Sequence, residues 1–100
     1  MRESAPAFVS FERTKRFDKA VEGLQPNQRK QLRKQLAQLL ENPAHPSLKA
    51  HQIKPDKYYW EAYLNKGDRI IYIPEGSHLV LVDVVSHDDI DRYSKGPSKK

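Results

Sequence analysis

Tyr58-Tyr59-Trp60-Glu61-Ala62-Tyr63-Leu64, Asn65-Lys66-Gly67-Asp68, Arg69-Ile70-Ile71-Tyr72-Ile73, Glu75-Gly76-Ser77 and Leu79-Val80-Leu81-Val82-Asp83-Val84-Val85 run in this order through the second half of the chain. The first segment sets Tyr58, Trp60, Ala62 and Leu64 against Tyr59, Glu61 and Tyr63. A period of two marks a half-buried strand. The second segment is a tight turn and the third a returning strand, so the pair reads as a hairpin. The fourth is another turn. The last segment is apolar on both faces except at Asp83, which suits an interior strand of the sheet.

Working outward, Leu32, Leu36, Leu39 and Leu40 recur at i, i+4, i+7 and i+8. That spacing lines one face of a helix. Pro26 can open it and Asn42-Pro43 stops it, which gives a helix over 26–42. Phe17, Ala20, Val21 and Leu24 predict a shorter helix over 17–24, and Phe8-Val9-Ser10-Phe11 a strand before it. Residues 43–57 hold three prolines and no period, and read as a loop. Residues 86–93 can add a last helical turn. The order β-α-α-β-β-β-α predicts an α+β fold, with two N-terminal helices packed on a mainly antiparallel four-stranded sheet. One domain over residues 1–94 accounts for the pattern. The small, basic tail 95–100 is expected to fray.

The chain has 100 residues, 37% hydrophobic and 31% charged, with no cysteine. Disulfides and thiolate metal sites are therefore excluded. No stretch has the length of a membrane span and the N-terminus lacks the apolar region of a signal peptide, so a cytoplasmic address and no membrane partner are expected. The net charge of +5 is uneven: residues 1–60 carry 12 Lys/Arg against 6 Asp/Glu, and residues 61–100 carry 6 against 7. An excess in one half suits a polyanionic partner, although solubility alone is also served by it.

The long helix repeats like charges at Arg29/Arg33 and Lys30/Lys34, i and i+4, which opposes helix stability by a few tenths of a kcal/mol per pair, on the order of 0.2–0.5. A solvated face and a phosphate-binding stripe both fit. The segment from His45 to Lys54 mixes imidazoles and cations, including Lys49, His51 and Lys54, beside Tyr58, Tyr59 and Trp60. Cations track phosphates and aromatic faces stack bases, while an indole also makes core. Arg69 opens a strand, either as a surface residue or aimed at a ligand. His87 follows the interior strand, where a scaffold holds a side chain firmly. It can give or take a proton during phosphodiester cleavage, or serve as a cap or surface residue. His87 with Asp88, Asp89 and Asp91 could also be read as a metal site, but oxygen-rich sites gather ligands from more than one element. No Gly-rich phosphate loop is present, and no metal or cofactor is expected.

The strings His45-Pro46-Ser47-Leu48-Lys49, Trp60-Glu61-Ala62, Asp68-Arg69-Ile70-Ile71-Tyr72 and Val82-Asp83-Val84-Val85-Ser86-His87-Asp88-Asp89 together resemble the RelE branch of the RelE/ParE toxin superfamily, over about residues 8–94. The resemblance implies the toxin of a two-gene toxin–antitoxin system, with a separate small antitoxin chain as partner. It further implies metal-independent endoribonuclease action on mRNA, typically at the ribosome, by attack of the substrate's own 2′-hydroxyl. Carried over, Arg69 matches the strand arginine set against the scissile phosphate, and Tyr93 a C-terminal site tyrosine. Lys49 and Lys54 lie in the basic loop of such toxins, and from the charge pattern of the loop and the long helix His51, Arg29 and Arg33 are expected as further RNA contacts. His87 stands where some members have arginine, which moves the acid role to an imidazole. The acidic residues beside it depart from the pattern. The alternatives are a non-catalytic ParE-like inhibitor of a protein such as DNA gyrase, or a degenerate domain that binds only an antitoxin.

Overall fold

The computed structural model describes residues 7–53 and 59–94. Its elements are β1 (Ser10–Arg13), α1 (Lys15–Glu22), α2 (Pro26–Glu41), a 3₁₀ turn (Pro46–Leu48), β2 (His51–Gln52), β3 (Trp60–Asn65), β4 (Asp68–Glu75), β5 (His78–Ser86), a second 3₁₀ turn (His87–Asp89) and α3 (Asp91–Ser94). The sheet order is β1-β5-β4-β3-β2. β1 pairs parallel with β5 and the other pairs are antiparallel. The α+β layout is as expected, with the last strand inside the sheet. The sheet has five strands rather than four: His51–Gln52, inside the stretch read as loop, pairs with Trp60 and Glu61. None of the helices among the described residues is long and apolar enough to cross a membrane.

Local chemistry fixes the helix ends. Thr14 Oγ1 accepts from Phe17 N at 3.0 Å, capping α1, and donates to Val82 O at 2.8 Å, which stitches that cap to β5. Pro26 begins α2, and Gln28 Oε1 accepts from Gln25 N at 2.7 Å. In the β3–β4 turn Asn65 Oδ1 accepts from Gly67 N and Asp68 N, both at 2.9 Å. The β4–β5 turn needs Gly76, whose φ of 63° would strain any other residue.

The two faces of the sheet are covered differently. Leu32 and Leu39 of α2 and Phe17 of α1 pack with Ala62, Leu64, Ile70, Tyr72, Leu79, Leu81 and Val84 on one face. Trp60 packs at the edge of this core, as its bulk suggested, with its ring 6.2 Å from that of Tyr72. On the other face Ile53, Ile71, Val85 and Tyr93 form a smaller cluster. Leu79 and Leu81 share the helix face with Val84 because the register slips: Ile71 pairs with Asp83 but Tyr72 with Leu81. The bulge at Val82 resets the alternation.

Gln35 is the polar pin of the helix layer. It is 6% exposed, and its Nε2 donates to Tyr63 O at 2.8 Å and Ser47 O at 3.2 Å. One amide thus ties α2 to β3 and to the first 3₁₀ turn. Gln35→Leu keeps the bulk but leaves two carbonyls without that donor. It is expected to cost about 1–3 kcal/mol, seen as a lower urea midpoint at unchanged m. An unchanged midpoint would contradict this role.

Candidate active site

β3, β4 and β5 bring their chemistry to the face away from α1 and α2. Alternation sets Glu61 and Tyr63 opposite Ala62 and Leu64, and the pairs Glu61↔Ile71, Tyr63↔Arg69 and Arg69↔Val85 put these side chains on one surface. At the end of β5, His87 N donates to Gly67 O at 2.8 Å, which anchors His87 beside the β3–β4 turn. Lys49 and His51 arrive from the β2 side. Together Lys49, His51, Glu61, Tyr63, Arg69 and His87 line a cavity of about 230 Å³.

Glu61 organises the floor of this cavity. Its side chain is 12% exposed, with Oε2 3.0 Å from His51 Nε2 and Oε1 3.7 Å from Arg69 Nε. His51 Nδ1 lies 2.9 Å from Lys49 O. A carbonyl only accepts, so the hydrogen on that side belongs to Nδ1, and Nε2 is the nitrogen that meets the carboxylate. Both ring nitrogens of His51 are thus engaged, one by a backbone carbonyl and one by the carboxylate. Tyr63 is flanked by two cations: Lys49 Nζ is 5.2 Å and Arg69 Cζ 5.0 Å from its ring centroid. Lys49 takes up this position from a left-handed backbone, φ 46°, a conformation that costs a non-glycine residue roughly 1–2 kcal/mol. Arg69 is 17% exposed, and its Nη1 donates to Asn65 O and Asp68 O, both at 2.8 Å. The guanidinium is therefore held by the turn, over the Tyr63 ring and at the wall of the cavity. Two imidazoles, a carboxylate and two cations thus share one cavity, a set of groups able to move a proton beside an oxyanion.

No known family profile matches the sequence, and no curated protein does. Solved structures do. YafQ from E. coli superposes with a TM-score of 0.68 at 20% identity, covering 80% of this chain and 94% of that one. A metal-bound toxin from Helicobacter pylori gives 0.65 at 27% identity, covering 82% and 98%. The RelB–RelE antitoxin–toxin complex from Methanococcus jannaschii gives 0.65 at 19% identity, covering 85% and 98%. The chain has the fold of the RelE-like toxins.

Within this RelE-like fold the expected site residues separate into groups. Arg69, His87, Lys49 and His51 meet in one cavity. Lys54 lies outside the described residues, as does the 95–100 tail. Arg29 and Arg33 sit on α2, across the sheet from the cavity, where they border a groove lined by Phe11, Phe17, Val21, Leu32 and Leu36. Arg29 Nη2 donates to Glu22 O at 3.0 Å. Tyr93 is on the same sheet face as Arg69 but does not line the cavity. It is 6% exposed, stacks edge-on to Tyr59 at 4.9 Å, and donates its hydroxyl to Asp83 Oδ2 at 2.6 Å. Glu61 and Tyr63 were read as members of an alternating strand, Glu61 also within the string Trp60-Glu61-Ala62, and neither was assigned to the site. Their one signal was a carboxylate between two tyrosines on a strand face that would otherwise be apolar. Among the described residues no three His, Asp or Glu gather as a metal site.

Burial pushes the Tyr93 phenol up, reinforced by the bond to Asp83 and its charge and opposed by Arg16 and Arg92. The folded chain thus holds this proton beyond the ordinary phenol value of 10.0. Between that value and the raised one the folded state binds more protons than the unfolded state. Stability is therefore full below about pH 10 and falls as pH rises further. In Tyr93→Phe this alkaline loss should be shallower, with buried Tyr72, also raised, supplying the remainder. Urea midpoints measured on either side of pH 10 test this, and an alkaline slope equal to wild type would contradict it.

Proposed function

We propose that this chain is the toxin of a toxin–antitoxin pair and an endoribonuclease that cuts mRNA, with the ribosome as the platform on which the message is met. The observation that carries the reading is the single cavity holding His51, His87, Glu61, Lys49 and Arg69. Cleavage of a phosphodiester by its neighbouring 2′-hydroxyl needs one base, one acid and positive charge at the phosphoryl oxygens, and those groups are the ones assembled there. Glu61, its carboxylate held between His51 and Arg69, removes the 2′-hydroxyl proton, and His51 keeps that carboxylate in place. The freed oxygen bonds to phosphorus, the bond from phosphorus to the 5′-oxygen breaks, and His87 supplies the proton to that leaving oxygen. The products are a 2′,3′-cyclic phosphate and a 5′-hydroxyl. Arg69 and Lys49 stabilise the charge that grows on the non-bridging oxygens, and Lys54 is a further candidate for that duty. DNA is refused because it lacks the nucleophile. Tyr93, held by Asp83, acts as a positioning residue for the segment that begins at His87.

The antitoxin partner is a separate small chain, as in the antitoxin–toxin complex of the archaeal neighbour. Phe11, 48% exposed, lines the apolar groove that Arg29 and Arg33 border. An amphipathic segment with acidic residues along its edge fits that groove, and the two arginines then serve the antitoxin rather than RNA.

Induced expression with 5′-end mapping of cellular mRNA tests the reading. Wild type should arrest growth and create new 5′-hydroxyl ends. Glu61→Gln and His87→Ala should each lower cleavage by roughly 10²–10⁴. Arg69→Lys, which keeps the charge and loses the planar fork, should lose on the order of 10² or more in cleavage while still folding, with a somewhat lower melting temperature because two bonds to the turn go with the fork. Full toxicity in all three variants would replace the nuclease with a toxin that acts by binding a protein target.

A further inference from the structure

An open depression of about 470 Å³ lies away from the cavity that holds Arg69 and His87. β1 ends at Arg13, opposite Leu81, and beyond that point α1 takes over the flank of β5. The depression lies there, lined by Lys15, Arg16 and Lys19 of α1, Asp83 of β5 and Arg92 of α3. Four cations face one carboxylate, and that carboxylate is already engaged. Asp83 is 4% exposed; its Oδ1 accepts from Val84 N at 2.8 Å and its Oδ2 from Tyr93 at 2.6 Å. Arg16 Nη1 and Arg92 Nη1 approach Oδ2 at 3.7 and 3.9 Å. Asp83 thus draws two guanidiniums together from different elements and offsets only one of their two charges. Lys15 and Lys19 are like charges at i and i+4, a spacing that disfavours the helix. Asp18, the acid between them in sequence, is paired with Arg13 at 3.2 Å. Arg16 and Arg92 have side chains 58% and 50% exposed, so their remaining N–H groups are within reach of a ligand.

Guanidinium forks match phosphate oxygens in pairs, and ammonium groups add charge without fixed geometry. We propose that Lys15, Arg16, Lys19 and Arg92 form a second phosphate-binding site that grips the RNA strand outside the cleavage cavity. The ribonuclease reading is used here only to name RNA as the source of the phosphate. The two sites share one segment: His87 lines the cavity and Arg92 the depression. At roughly 1.5–2.0 Å of rise per residue, the five steps between them span about 8–10 Å. A strand a few nucleotides long can occupy both. Such a grip raises affinity for any sequence, because backbone phosphates carry no base identity.

The probe is a short single-stranded 2′-O-methyl oligoribonucleotide, which can bind but cannot be cut, titrated into the full chain at several salt concentrations. Lys15→Ala/Lys19→Ala should weaken binding similarly for unrelated sequences. It should also reduce the slope of log K against log salt by about 1.4, on the basis of ~0.7 per phosphate contact on a single strand. A dinucleotide substrate, which fills the cavity alone, should be cut at the wild-type rate by the same variant. A parallel arm adds inorganic phosphate to wild type and variant and follows the melting temperature. If phosphate protects only wild type while oligonucleotide affinity and slope are the same in both, the site serves a free anion and the proposal fails. It fails equally if affinity and slope are unchanged and phosphate does nothing. If wild type binds the oligonucleotide through these residues yet cuts no RNA, the grip stands and the ribonuclease reading falls. Wild-type cleavage with an unaltered salt slope in the variant gives the reverse.

Discussion

Asp83 is a carboxylate set inside the sheet, 4% exposed on a strand whose neighbours in sequence are valines. A buried charge without partners costs several kcal/mol or more, so the structure around it is arranged to supply them. The Val84 amide and the Tyr93 hydroxyl donate directly, and Arg16 and Arg92 bring positive charge from two helices. Meeting that demand fixes the chain after β5. Tyr93 has to reach back over Ile71 and Val85, so the segment from His87 folds onto the sheet face that the N-terminal helices leave open. The placement of His87 beside the β3–β4 turn and of Arg92 beside α1 both follow from this return.

The cavity follows from pairing. In antiparallel strands the start of β4 faces the end of β5, so Asp68 opposes Ser86, and Gly67 receives the His87 amide. β3 adds Glu61 and Tyr63 on the same face through its pairing with Ile71 and Arg69. The short β2 brings His51 opposite Glu61. Groups far apart in sequence thereby meet on a sheet whose other face is packed by α1 and α2, and a rigid scaffold of this kind can hold acid, base and cation at fixed separations.

Much of this layout was legible in the residues. The leucine spacing located α2 to within a residue at its end, and the period of two with its turn residues located β3, β4 and β5. Arg69 and His87 could be brought near one another by the antiparallel rule alone. Other features rest on tertiary pairing that periodicity does not encode. β2 is only two residues long and exists because Trp60 and Glu61 offer an edge to it. A helical pattern tells which face of α2 is apolar but not which face of the sheet it will cover, so Arg29 and Arg33 could not be separated from the cavity in advance. Tyr93 was grouped with Arg69 and His87, but the buried Asp83 draws its hydroxyl inward. The bulge at Val82, which lets Leu81 and Val84 share a face, left no mark in a strand that is apolar throughout.

The central claim is that the cavity uses the substrate's own 2′-hydroxyl. Its most direct test is cleavage by the purified chain, in the presence of a chelator, of two RNA oligonucleotides that differ only by a single 2′-deoxy substitution at the scissile nucleotide. The account predicts that the all-ribose strand is cut to a 2′,3′-cyclic phosphate and a 5′-hydroxyl end, while the substituted strand stays whole at that position. Equal cutting of both strands, or products carrying a 5′-phosphate, would contradict it.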